Sequence, residues 1–423
     1  MNGGPRPTVV VVAGNRWENT SGTDHKLALA LSTHHDVLWV DPPVPFAGPA
    51  LVQRPPKRVG SHVDLVSSGV RRLRVLVPPG SSRPGLRILA DKLVWCGIKR
   101  TLQNLGVEPL ITLSLSPRVR LPRIGNGVQI LHVTDDWIAG ACMMGLSRRH
   151  VRRLLRHNLR VANVATAVTP LLARALQGMR PHDIIHVLTN GCDVFTPGTP
   201  VEPPQRRGAA LLGQLNERLD LTLLDELAAS GVHIDVIGPR RELSIATAKR
   251  LDNFFGNANV RWLGEVSADE VPLLLARTKV GITPYVIDDF NRASFPLKIL
   301  EYLSAGLTVV ATDLPAVRSL HTDAIKVGTT RGEFISHVIH QVQQDPDKDQ
   351  ESENRAFVRQ HTWNVRAEQL RSLADAACAD HTSTGNGLWK TRPRLQFGTG
   401  AYDKTKSNAK ESDSGVNSGP KWP

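Results

Sequence analysis

The chain has 423 residues, 41% hydrophobic and 22% charged, with a net charge of +13. That balance excludes collagen-like, coiled-coil and wholly disordered chains, and roughly 100–200 residues per domain allows two or three domains. The charge is uneven, net +14 over residues 1–200, −5 over 201–380 and +4 over 381–423, so the basic front half suits nucleic acid, anionic lipid or a phosphorylated substrate.

In chain order, the β-branched run Val9–Ala13 reads as a strand. It is too short for a membrane span or a signal-peptide core, which predicts a cytosolic protein. A loop over Gly14–Thr23 leads to a helix near Asp24–Leu31 and a strand at Val37–Val40. Further strands are expected at Leu73–Val77, Leu110–Leu113, Gln129–Val133, Ala165–Val168 and Ile184–Val187. Helical patterns fall between them near Leu86–Leu102, Ser147–Ala162 and Pro170–Gln177. This alternation predicts βαβ units and a parallel sheet in a first domain over 1–195.

The proline-rich stretch Phe195–Gly208 has no apolar periodicity and reads as a linker, residues 196–208. A second α/β series follows, with strands at Ala209–Leu212, Val232–Ile237, Val260–Leu263, Val280–Thr283, Thr308–Thr312 and Ile325–Val327. Helices are expected at Leu219–Ala229 and Ala268–Ala276 within a domain over 209–350. A charged helix closes the body over 351–380, and the Ser-, Gly- and Lys-rich tail 381–423 reads as disordered. Two doubly wound domains joined by a hinge bind ligands at the carboxyl ends of their strands. The four cysteines form no CxxC pair, so neither zinc nor a disulfide framework is signalled.

The most informative stretch is PYVIDDFNRASFPLKILEYLSAGLTVVATDLP, Pro284–Pro315. It passes from a strand end through a polar loop into a helix near Pro296, since proline suits a first helical turn where its missing N–H is no loss. Leu297, Leu300 and Leu303 share a face, and Gly306 ends the helix. A helix N-terminus facing a crevice favours a phosphate through its free N–H groups and dipole. Glu301, one turn inside, is either an exposed helix acid or a carboxylate that accepts hydrogen bonds from a sugar diol.

The run PLKILEYLSAG…VVATDLP resembles the C-terminal signature of GT-B glycosyltransferases of the family 4 group, within the branch associated with teichuronic-acid and other cell-surface glycan synthesis. Four shorter segments resemble the same branch in the expected order: NRWENTSGTDHKLALAL at Asn15–Leu31, HVTDDW at His132–Trp137, TNGCD at Thr189–Asp193 and GQLNERLDLTLL at Gly213–Leu224. The resemblance implies a retaining, metal-independent enzyme with two Rossmann-like domains. The second would hold a nucleotide-diphosphate sugar, and the first a glycan or lipid-linked acceptor. Glu301 matches the acid that binds the donor ribose. Lys298, with the backbone at Pro296 and Leu297, lies near the expected diphosphate, and Arg218 matches the basic residue that grips it. Gly213 opens that turn. Charge growing on the β-phosphate of the leaving nucleotide would be met by these fixed cations and amides, with no attacking protein carboxylate of the glycosidase kind.

Three positions depart from the family, one being His132, where the branch typically carries Tyr. Ala293 stands eight residues before Glu301, where many members carry a sugar-binding Glu, and Gln214 stands where many carry Arg. Asp288 or Asp289 is a substitute sugar contact or a solvated loop acid. Asn15 and Arg16 touch donor phosphate or acceptor, or shape their turn. Asp135 and Asp136 line the crevice from the acceptor side or cap local backbone, with a carboxylate pair on a metal the less favoured reading. His132, beside them, is a general base or a structural histidine.

Arg148, Arg152, Arg156 and Arg160 recur at i,i+4 and share one helical face, with Val151, Leu154, Leu155 and Leu159 on another. That face is solvated or meets anionic lipid, which would place the enzyme on the inner side of the plasma membrane. Nucleic acid is disfavoured, because zinc-finger spacing and an RNP aromatic run are missing and aromatic residues are 5% of the chain. The rival functions are an inactive glycosyltransferase-like scaffold and a nucleotide-sugar epimerase on the same fold.

Overall fold

The computed structural model describes residues 6–19, 22–46, 62–80, 83, 85–181, 183–195 and 206–383. Most of the expected linker, 196–205, and the tail from 384 onward lie outside the described residues.

The strands of the first sheet are β1 (Thr8–Val12), β2 (Asp36–Val40), β4 (His62–Ser67), β5 (Val70–Arg74), β7 (Pro109–Ser114), β8 (Val128–Val133), β9 (Val164–Ala167) and β10 (Ile185–Val187). Their order is β10-β9-β8-β7-β1-β2-β5-β4, parallel except for the β4–β5 edge pair. Two short strands, β3 (Val44–Pro45) and β6 (Leu76–Val77), pair separately. The expected strand Leu73–Val77 is therefore divided between β5 and β6. Its partner β4 escaped the sequence reading because HVDLVS is an edge strand with no all-apolar run.

The second sheet holds β11 (Ala209–Leu212), β12 (Ile234–Ile237), β13 (Val260–Gly264), β14 (Val280–Thr283), β15 (Thr308–Thr312) and β16 (Ile325–Gly328). Its order is β13-β12-β11-β14-β15-β16, all parallel. β1 and β11 are buried at every residue. A parallel strand covered on both faces requires such a continuous apolar run. In each sheet the chain winds outward from its first strand, then restarts on that strand's other side. The direction reverses between β1 and β7, and between β11 and β14. Crevices open at the carboxyl ends of such reversal points.

The charged stretch expected as one helix over 351–380 is two, Lys348–Arg359 and Trp363–Ser383. The second returns to the first sheet. Trp363, Ala367, Leu370, Leu373, Ala374 and Ala377 join Val9, Val11, Leu27, Leu31 and Trp39 in one core. The TNGCD turn makes this crossing possible. A Cβ on Gly191 would lie 2.7 Å from Trp363 N, and Cys192 N donates to His361 O at 2.9 Å. Asn190, buried, accepts from Thr23 Oγ1 at 2.9 Å.

The helix Arg148–Val161 buries Val151, Leu154, Leu155, Asn158 and Leu159, and leaves Arg148, Arg156 and Arg160 exposed with Arg152 half-buried. No described helix is long and apolar enough to cross a membrane.

Candidate functional site

The two reversal points face each other. From the second sheet, β11 ends in Gly213 and the loop to Leu221, while β14 leads through Tyr285 into the short helix Asp289–Ala293 and then the helix Leu297–Ser304. From the first sheet come the loops after β1, β8 and β9. Ser294 Oγ donates to Asp135 Oδ1 at 3.0 Å, and Thr169 Oγ1 donates to the Ala293 carbonyl at 2.9 Å. Phe290 packs so closely on Gly140 that a Cβ there would lie 2.7 Å from its ring. Every one of these contacts joins the carboxyl edge of one sheet to that of the other.

Arg218 lies at this junction. Its guanidinium carbon is 5.1 Å from the centroids of both the Tyr285 and Phe290 rings, and its Nε donates to Asn291 Oδ1 at 2.8 Å. Two aromatic faces hold a cation without neutralising it. Asn291 is itself fixed, since its backbone N–H donates to the capping Asp288 carboxylate at 2.7 Å and its amide donates to Val286 O at 3.0 Å. Burial raises the pKa of Asp135, and the Arg218 charge works against that rise.

Lys298 donates to both carboxylate oxygens of Glu301, each at 2.9 Å. A Cβ on Gly213 would lie 3.7 Å from Lys298 Cε, so the lysine stem runs beside the β11 turn. Gly213 adopts φ +137° and Gly238 φ +142°, and a Cβ on Gly238 would sit 1.9 Å from the Gly213 carbonyl oxygen. Only glycine accepts both that backbone and that approach. Beneath them, Tyr302 Oη accepts from Leu212 N at 2.7 Å and lies 3.0 Å from Ala210 O and 3.1 Å from Ile282 O. Gly281 makes room, because a Cβ there would be 2.2 Å from the Tyr302 ring. Tyr302 thus bolts the Lys298–Glu301 helix under β11 and β14. A glycine inside a strand marks such a close approach, and Gly281 is its signal in the sequence.

The sequence candidates are distributed as follows. Arg218, Lys298, Glu301 and Gly213 stand at the carboxyl edge of the second sheet. Pro296 is buried at the helix N-cap, one residue before the first turn where it was expected, and Leu297 packs against the first sheet's core. Asp288 caps its helix, and Asp289 is exposed in the first turn. Asn15 is exposed, and its N–H donates at 3.0 Å to the buried Asp24 carboxylate. Arg16 follows it, half-buried. Asp136 Oδ1 accepts from the N–H groups of Ile138 at 2.9 Å and Ala139 at 3.0 Å, which is the capping alternative.

His132 does not join them. It is buried within β8, 2.8 Å from Thr166 Oγ1 on β9, and burial lowers its pKa to about 4. Such burial favours the structural alternative over the general base. A cavity of about 410 Å³, lined by Glu217, Asp220, Arg250 and Arg331 among others, opens on the far side of the Arg218 loop and includes neither Arg218 nor Lys298.

Comparison with known proteins agrees with this architecture. Residues 214–342 match the family described as Glycosyl transferases group 1. The Bacillus subtilis protein TuaH, named as a teichuronic acid biosynthesis glycosyltransferase, is 26% identical over 202 residues, 44% of this chain and 49% of that protein. The match thus spans about half the length of that relative. Sucrose-phosphate synthase from Thermosynechococcus elongatus superposes with a TM-score of 0.67 at 14% identity, covering 89% of this chain and 100% of the other. Anabaena HepE, solved with UDP and glucose, superposes with a TM-score of 0.59 at 13% identity, covering 88% and 100%. Such distant structural likeness speaks for the fold. Together these findings give the chain the GT-B fold, with the match to the group 1 glycosyltransferase family lying over residues 214–342.

Proposed function

We propose that the chain is a retaining glycosyltransferase that moves a sugar from a nucleoside-diphosphate sugar to a cell-surface glycan or lipid-linked acceptor, without a metal. The single observation that carries this reading is Arg218, caged by Tyr285, Phe290 and Asn291 at the mouth of a group 1 glycosyltransferase domain. Among the described residues its Nη groups meet no protein hydrogen-bond acceptor. A cation fixed in place but left open to the crevice suits a diphosphate.

In this reading the donor divides the Lys298–Glu301 pair. Glu301 accepts hydrogen bonds from the ribose hydroxyls, and Lys298 turns to the phosphates beside Gly213. As the sugar–oxygen bond breaks, negative charge grows on the β-phosphate, and Arg218, Lys298 and the amides opening the helix Leu297–Ser304 stabilise it. Arg218 and the helix amides are oriented beforehand and Lys298 turns as the donor binds, so little reorganisation is needed at the moment of reaction. The first sheet offers the acceptor side through Asp135 and the loop Gly14–Arg16. The enzyme works in the cytoplasm, with Arg148, Arg152, Arg156 and Arg160 turned toward anionic lipid.

A thermal-shift panel of nucleotide sugars tests the donor half of the proposal. The cognate donor at 100 times its dissociation constant adds about 2.7 kcal/mol of stability, and Glu301→Ala removes the shift. Nucleoside diphosphate should then be released only when acceptor is present. A chain that binds no nucleotide sugar, and whose Glu301→Ala variant leaves cellular glycans unchanged, is a scaffold instead.

A further inference from the structure

The first sheet carries a second row of chemistry that donor binding does not use. The loops leaving the adjacent strands β1 and β7 touch. Leu115 N donates to Val12 O at 2.9 Å, and a Cβ on Gly14 would lie 2.9 Å from Leu115 O and 3.5 Å from Pro117 Cδ. These loops hold Arg16 and Arg118. Arg118 donates Nη2 to the Met144 carbonyl at 2.8 Å. Among the described residues, no carboxylate forms an ion pair with either guanidinium. Burial lowers the Arg118 pKa, and the Arg16 charge adds to that effect. The two guanidiniums rise from touching loops and, among the described residues, neither is in an ion pair with a carboxylate, an arrangement that favours an anion there.

The row continues outward from Arg118. His150 feels Arg87, Arg120, Arg118 and Arg153, and burial with these charges lowers its pKa to about 4. Its ring is therefore neutral near pH 7, and Nδ1 accepts a hydrogen bond from Arg87 Nη1. Arg87 Nε is buried without a hydrogen-bond partner among the described residues. Asp91 is the carboxylate of this row, 3.5 Å from Arg120 Nε. Around Arg87, on the first turn of the helix Leu86–Leu105, the apolar side chains Leu86, Ile88 and Leu89 are 37%, 46% and 43% exposed. Met143, next to the residue that holds Arg118, is 41% exposed. The strip therefore runs from paired cations at the crevice to bare hydrocarbon on the outer surface.

We propose that this strip seats a phosphate-bearing amphiphile, with its phosphate between Arg16 and Arg118 and its chain over Leu86, Ile88 and Leu89. Two planar guanidinium forks match a tetrahedral dianion, and the exposed leucines and isoleucine gain by covering an alkyl chain. Describing the ligand as the acceptor rests on the glycosyltransferase reading above; the binding itself does not.

The test uses the full chain and four probes: dodecyl phosphate below its micelle concentration, dodecanol, inorganic phosphate and phosphatidylglycerol vesicles. Dodecyl phosphate should bind more tightly than dodecanol or inorganic phosphate. Arg16→Ala and Arg118→Ala should each weaken it by about tenfold, as expected for loss of a charge-assisted pair. Arg118→Lys, which keeps the charge, should weaken it less and serves if the alanine variant fails to fold. Ile88→Ser should weaken dodecyl phosphate and leave inorganic phosphate unchanged. Unchanged dodecyl phosphate affinity in both Arg16→Ala and Arg118→Lys overturns the proposal. So does equal binding of dodecyl and inorganic phosphate, which would mean a plain anion site. Binding to phosphatidylglycerol vesicles alone would mean a bilayer contact and also overturns it. Donor binding is read separately by thermal shift with nucleotide sugars. Loss of that signal with retained, Arg118-dependent dodecyl phosphate binding would sink the glycosyltransferase reading and spare this one.

Discussion

Ser294 donates its hydroxyl to Asp135 across the crevice at 3.0 Å, joining residues 159 positions apart. Ser294→Ala leaves a desolvated carboxylate oxygen without its donor, a loss of about 1–3 kcal/mol, measurable by urea unfolding at pH 7. Asp135→Asn should behave differently with pH. Burial raises the Asp135 pKa above its unfolded value of 3.8, so its contribution is fullest below that pH and is lost as pH rises through the higher folded value. Stability of Asp135→Asn relative to the native chain should therefore improve from pH 3 toward pH 7. A flat difference across that range would show that the carboxylate titrates normally.

Lys298 and Glu301 form a closed pair, whereas Arg218 is held by neutral groups. The substitutions should separate accordingly. Arg218→Ala should lower kcat by roughly 10²–10³, the usual effect of losing one donor to developing charge. Glu301→Ala should act mainly on donor affinity, weakening it about tenfold to a hundredfold. Initial rates at varied donor concentration distinguish the two, and equal effects on kcat from both would contradict the division of roles.

His132 is neutral in the folded chain down to about pH 4. Its unfolded pKa is near 6.5, so stability is complete above that value and drains away as pH falls toward 4, by roughly 3 kcal/mol in all. His132→Gln should flatten the part of the acid unfolding curve between pH 6.5 and 4. Activity should show no ionisation near pH 6–7 that this substitution removes. If it does, the imidazole reaches substrate after all.

Gly238→Ala should disturb the donor turn more than its size suggests. The added methyl would meet the Gly213 carbonyl at 1.9 Å with the backbone at φ +142°, so the β11 turn beside Lys298 must move. Nucleotide-sugar binding should fall at least as far as in Lys298→Ala, while far-ultraviolet circular dichroism stays the same. Retained donor affinity would mean that the turn is not part of the donor site.

The fold was legible wherever burial on both faces forces an apolar run. Ala209–Leu212, Val280–Thr283 and Thr308–Thr312 begin and end where their composition says. Arg218, Lys298 and Glu301 stand out in the sequence because a family pattern surrounds them. The rest of the candidate site does not, because its logic is three-dimensional. Tyr285, Phe290 and Asn291 gain meaning only once Arg218 is seen between them. Tyr302 reads as one more apolar helix residue until Gly281 is found beneath its ring. His132 stayed open between two roles, because proximity to Asp135 in sequence says nothing about which side of β8 a ring occupies. The helix Arg331–Gln343 carries a readable signal, since Phe334, Ile335, Val338, Ile339 and Val342 recur at helical spacing and pack in the second sheet's core.

The return of the helix Trp363–Ser383 to the first sheet has a consequence for synthesis. Leu370, fully buried, belongs to the same core as Val9, yet some 360 residues separate their translation. The amino-terminal half must leave the ribosome with an open apolar seam and wait for residues 363–377 to close it. Premature termination anywhere beyond the second sheet would thus damage the part of the protein made first.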